Sequence, residues 1–157
     1  MSILNIVTEP NPILRCQSKA IDPAIISQSD FQQLAQDMAE TMVKKDGAGL
    51  AAPQIGKNIR LIAVGIPDGV LVMINPIITK VSWKKEWDEE GCLSIPNIYG
   101  KVKRHKKVRC KFIDAQGKHR KIEAESLLAR VIQHEIDHLD GILFTDKAKD
   151  ILEHYDA

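Results

Sequence analysis

At 157 residues, 44% apolar and 27% charged, the chain is long enough to bury a core and reads as a single domain spanning 1–157. A formal charge of +1 gives no global field towards nucleic acid, so no specific DNA partner is expected; no apolar run approaches the roughly 20 residues of a membrane span. The N-terminus lacks a secretory signal pattern, and three widely spaced cysteines (Cys16, Cys92, Cys110) form no disulfide framework, so a cytoplasmic setting is expected, with a processed organelle matrix or stroma form reading the same.

Pro10, Pro12 and Pro23 forbid a long helix in the first 27 residues, which reads as an irregular arm. Ser27-Gln28-Ser29-Asp30 offers cap residues, and Phe31, Leu34, Ala35, Met38 and Met42 then recur at helical spacing, predicting a helix over 29–44. Gly47-Ala48-Gly49-Leu50-Ala51-Ala52-Pro53-Gln54 follows. Its glycines permit unusual backbone angles and close approach, although Gly47 alone reads as a helix C-cap and Gln54 alone as a surface amide. The run lacks the Lys-Ser/Thr ending of a phosphate-binding loop, which excludes a nucleotide site of that kind.

β-Branched runs at 59–66 and 70–74 flank Pro67-Asp68-Gly69 and predict a hairpin, broken at Asn75-Pro76 and resumed over 77–81. Trp83 and Trp87 among charged residues suggest an edge strand. Glu90-Gly91-Cys92-Leu93-Ser94 then places a cysteine in a loop. Over 101–111 the basic residues alternate: Lys101, Lys103, His105, Lys107, Arg109 and Lys111 share one face, and Val102, Val108, Cys110 and Phe112 the other. One long antiparallel strand with a solvated basic face is expected; a weak contact with ribosomal RNA is the functional alternative. A turn at Asp114–Gly117 leads to a strand ending near Ala124.

The last helix should begin near 123–126 and stop at Gly141. It carries Gln133-His134-Glu135-Ile136-Asp137-His138. Positions i and i+4 lie one turn apart on one face, so His134 and His138 can point two imidazoles at one metal ion, with Glu135 about 100° round the helix as a base towards water. Leu128, Ile132, Ile136 and Leu139 form one apolar stripe, while Leu127 and Val131 fall beside His134 and would line an aliphatic pocket next to the metal. A third ligand is needed. A metallopeptidase would take it from downstream, yet position 144 is Phe144, and Glu153 and His154 fall with little chain left to support them. Upstream, Cys92 is the one soft, anionic candidate, and a Cys-His-His set leaves an open, catalytic position.

With these three stretches in order, the sequence strongly resembles the peptide deformylases over about residues 3–148. The resemblance implies one divalent metal per chain on Cys92, His134 and His138, usually Fe(II) in the family, with Zn(II), Ni(II) or Co(II) also accepted by such a set. It implies Glu135 as general base and then acid, with the Gln54 amide and the Leu93 N–H as oxyanion donors. The segment Gly47, Ala48, Gly49 and Leu50 would bind the substrate backbone. The implied substrate is the N-formyl-methionyl end of a nascent polypeptide, with formate released and activity lost in air as the thiolate oxidises. A transient ribosome contact would either be missing or fall to the basic run. Asp88 stands where some members carry an apolar pocket residue, leaving the pocket's shape open. The expected architecture is α+β, antiparallel strands wrapped round the metal-binding helix with the 29–44 helix packed outside.

Overall fold

The computed structural model describes residues 2–154, which form eight strands, two α-helices and four short 3-10 turns. The N-terminal arm holds two of those turns and leads into α1 (Ser29–Lys44). The predicted bounds hold, although the cap is Gln28 with no side-chain bond, and Asp30 supplies a negative charge to the first turn. The residue that closes α1 in the left-handed region is Asp46 (φ +54), not Gly47.

Strands β1 (Gly49–Ala51), β2 (Leu61–Ile66), β3 (Gly69–Val81), β6 (Lys107–Ile113) and β7 (His119–Glu125) make an antiparallel five-stranded sheet in the order β1-β2-β3-β6-β7. Strands β4 (Lys85–Cys92), β5 (Ile95–His105) and β8 (Lys149–Glu153) make a second sheet in the order β4-β5-β8. Helix α2 (Ser126–Leu139) follows β7 without a linking residue, Ser126 taking φ +56 to make the turn.

The five-stranded sheet is covered on both faces, and β2 shows why its sequence is continuously apolar. Ile62 and Val64 cluster with Met73, Ile132, Ile136 and Leu139 under α2, whereas Leu61 and Ala63 cluster with Ile74, Met38 and Met42 under α1. A third cluster, Leu14, Ile95, Val102, Leu143 and Phe144, ties the arm and the C-terminal segment to the smaller sheet. Leu143 and Phe144 are buried there, and residues 144–146 form a 3-10 turn.

The basic run 101–111 is not one strand. It divides at Lys106 into β5 and β6, which belong to different sheets. The corner is clamped by Gln133 of α2, whose amide accepts from the His105 N–H (3.1 Å) and donates to the His105 carbonyl (2.9 Å). The expected alternation survives on either side, and Arg104, although charged, follows it onto the buried face beside Val102 and is 3% exposed.

Gln133→Ala removes both bonds at this corner and a third to the Ala129 carbonyl. A loss of about 2–4 kcal/mol is expected in urea unfolding; a change below about 0.5 kcal/mol would mean the corner is held by the ladders alone.

Candidate active site

The seam between the two sheets is where α2, the β4–β5 hairpin and edge strand β1 meet. Cys92 ends β4, and a two-residue turn, Leu93-Ser94, leads to Ile95, so the Leu93 N–H lies in the turn rather than the ladder. α2 presents His134 and His138 one turn apart, as their spacing requires. Ligand atoms of Cys92, His134 and His138 all lie within 4.8 Å of one another, and Cys92 Sγ is 3.3 Å from His138 Nε2. One ion can bridge such a span. Burial opposes charge on His134, yet its hydrogen bonds to Cys92 and Glu90 outweigh this and lift the imidazolium pKa to about 10. Burial and the neighbouring His134 push His138 the opposite way, well below the usual imidazole range. A metal ligand must be a neutral imidazole, so an ion bound here would take the place of the proton on His134.

His134 is oriented by Glu90, whose Oε1 lies 2.8 Å from Nδ1, leaving Nε2 towards Cys92. Glu90 is itself buried and accepts from Arg104 through Nε and Nη2 (2.9 Å each) and from Arg130 Nη1 (2.7 Å). Burial acts to raise the Glu90 pKa, but the bonds from His134 and Arg104 outweigh it and hold the carboxyl well below its ordinary range. Arg104 Nη1 continues to Asp137 of α2 (2.5 Å), and Arg130 Nη1 to the Val102 carbonyl (2.8 Å). None of Glu90, Arg104, Arg130 or Asp137 was singled out as functional from sequence. The available signals were Glu90 two residues before the cysteine and Arg104 on the apolar parity of its strand.

Glu135 is 4% exposed, and burial pushes its carboxyl up to about 7. Its Oε2 has no hydrogen-bond partner among the described residues. Gly49 of β1 sits directly against it: a Cβ there would lie 2.5 Å from Glu135 Oε1 and 2.7 Å from Cγ. The Gln54 amide is held in one sense, Oε1 accepting from the Ala51 N–H (2.9 Å) while Nε2 faces Cys92 Sγ (3.4 Å) and Ser94 Oγ (3.2 Å).

A cavity of about 530 Å³ opens over these groups. Gly47, Ala48, Gly49, Gln54, Cys92, Leu93, Leu127, Val131, His134 and Glu135, all picked out from sequence, line it. Two others do not: His138 lies behind at 1% exposure, and the Leu50 side chain is fully buried under α1. Asp88 is exposed and outside the lining, so it does not shape the cavity. Ile95, Ile98 and Tyr99 add apolar wall that sequence reading did not include.

Glu90→Gln keeps the shape but leaves the Arg104 and Arg130 guanidiniums without their buried carboxylate. Urea unfolding should show a loss of about 3–5 kcal/mol; unchanged stability would mean solvent or Asp137 satisfies both cations.

The polypeptide deformylase family model matches residues 3–153. The chain is 47% identical over 151 residues to the peptide deformylase of Pelotomaculum thermopropionicum, which covers 96% of this chain and 95% of that one. The crystal structure of peptide deformylase from Thermotoga maritima matches with a TM-score of 0.90 at 34% identity, over 95% of this chain and 99% of that chain. A Met-Ala-Ser-bound class I type b peptide deformylase from Acinetobacter baumannii matches with a TM-score of 0.88 at 33% identity, over 93% and 98%. With matches of this extent on a fold that gathers Cys92, His134 and His138 beneath one cavity, the chain belongs to the polypeptide deformylase family, metal-dependent enzymes that remove the N-formyl group from nascent polypeptides.

Proposed function

We propose that Cys92, His134 and His138 hold the metal, that Glu135 moves the proton and that Gln54 and the Leu93 N–H stabilise the oxyanion during deformylation of N-formyl-methionyl chains. The observation that carries this reading is the convergence of the three donor atoms within 4.8 Å beside a buried, half-unpartnered Glu135 at the floor of a cavity. When bound there, an ion would supply Lewis acidity, which polarises a carbonyl oxygen and makes water a stronger acid. Fe(II) is the metal proposed, following the family resemblance; a thiolate with two imidazoles also accepts Zn(II), Ni(II) or Co(II).

Glu135 takes a proton from water as the water oxygen adds to the formyl carbon, and passes it to the departing amine nitrogen as the C–N bond breaks, leaving formate and a free amino terminus. The negative charge gathered on the formyl oxygen meets the Gln54 Nε2–H, already aimed by the Ala51 bond. The Leu93 N–H, lying in the hairpin turn, is the second donor; each such donor is worth roughly 3–4 kcal/mol of barrier. β1 has a ladder neighbour on one side only, so its free edge can pair with an extended substrate as an added strand. Leu127, 68% exposed on the cavity wall beside Val131, is suited to a methionine side chain, and the Acinetobacter baumannii relative is known bound to Met-Ala-Ser. The reading also includes a cytoplasmic protein meeting its substrate in transient contact with the ribosome. Among the described residues no helix is long and apolar enough to cross a membrane.

Formate release from formyl-Met-Ala-Ser, by protein loaded anaerobically with Fe(II), should fall by roughly 10²–10⁴-fold in Glu135→Gln at unchanged metal content. Full activity in that variant would remove Glu135 from the mechanism. Gly49→Ala drives a methyl into the Glu135 carboxylate and should cost roughly 100-fold in kcat/KM with metal retained; a wild-type rate would show that the glycine is not needed for Glu135 placement.

A further inference from the structure

The split of the basic run at Lys106 leaves its two halves in unlike surroundings. On the five-stranded sheet Lys107 pairs with Glu125 (3.4 Å) and Arg109 with Glu123 (2.5 Å). On the three-stranded sheet the register sets Trp87 opposite Lys103, Glu89 opposite Lys101, Tyr99 opposite Leu152 and Lys101 opposite Lys149. All of these side chains are exposed. Lys149 Nζ lies 4.8 Å and Lys103 Nζ 6.0 Å from the centre of the Trp87 ring. Lys85, at the start of the same strand as Trp87, shares this parity, and Trp83 two residues earlier is 98% exposed. Among the described residues, Lys85, Lys101, Lys103 and Lys149 make no ion pair, and Glu89 is the one carboxylate that the register sets among them.

We propose that this outer face of the three-stranded sheet binds single-stranded RNA exposed on the ribosome. Unpaired lysines spaced along strands suit a phosphate chain, and an exposed indole offers a base a stacking surface without reading its identity. A purely acidic partner would have use for the lysines but none for Trp87 and Trp83. The face also runs to the active site: Glu89 and Tyr99, on the same strands, line the catalytic cavity. Placement on the ribosome, with the cavity near an emerging chain, rests on the deformylase reading; binding of single-stranded RNA rests on the lysines and indoles of the face alone.

The test uses the metal-loaded chain and a 5′-fluorescein-labelled 12-nucleotide oligouridine, read by anisotropy. With four lysines on phosphates, at a slope of about 0.7 per contact, the affinity should fall roughly 50-fold between 50 and 200 mM KCl. Trp87→Ala should weaken binding by about tenfold and Trp87→Phe should restore most of it, since a ring alone suffices for stacking. The double variant Lys101→Glu/Lys103→Glu should abolish both oligouridine binding and co-sedimentation with 70S ribosomes. Hydrolysis of free formyl-Met-Ala-Ser, measured on the same samples, should not change in any of these. Absence of oligouridine binding, indifference to Trp87→Ala, or equal displacement by polyglutamate would overturn the proposal, the last in favour of an acidic protein partner. Loss of hydrolysis in the wild-type sample would instead count against the deformylase reading alone.

Discussion

A single buried carboxylate, Glu90, joins the parts of this protein that must not move relative to one another. It lies on β4 two residues from Cys92 and accepts from Arg104 of β5, from Arg130 of α2 and from His134, also of α2. Taking these charges out of water is expensive, and their mutual attraction offsets that cost only when the geometry is complete. An arrangement with α2 displaced by a turn, or the hairpin slipped by a residue, would leave two guanidiniums buried without a partner. The network therefore selects one relative placement of sheet and helix, and that placement brings the Cys92 thiol to the two imidazoles.

The active centre draws on elements that no single sheet could supply. α2 is apolar on the side that rests on the five-stranded sheet and carries both histidines and Glu135 towards the seam. The β4–β5 hairpin contributes Cys92 and the Leu93 turn, and β1 contributes the glycine that lets Glu135 pack against the backbone. Gln133 pins the corner at which the chain leaves one sheet for the other. Stability and chemistry are coupled here: the residues flanking the histidines on α2 are the ones that clamp the sheets.

Much of this was legible in the sequence, because much of it rests on local spacing. The periodic Phe31, Ala35, Met38 and Met42 marked α1, and the i, i+4 histidines with a following Gly141 marked α2. The alternation in 101–111 gave the right faces on both strands. What alternation cannot show is that the partner strand changes, so the break at Lys106 was hidden; the clamp on His105 is a contact across 28 residues of chain. Arg104 was masked for a related reason. A basic residue in a basic run reads as solvated unless its carboxylate partner is known, and Glu90 and Asp137 lie 14 and 33 residues away. Leu50 shows how one residue can serve both ends, its side chain buried in the core under α1 while its backbone lies on the edge strand β1.

The proposed catalysis depends most on Cys92, His134 and His138 acting together on one ion. X-ray absorption at the metal edge of the zinc-loaded protein tests this most directly. One sulfur at about 2.3 Å and nitrogen donors at about 2.0–2.1 Å, with one zinc per chain, is the predicted shell. A shell of nitrogen and oxygen alone, with Cys92 still free to react with a thiol reagent, would contradict it.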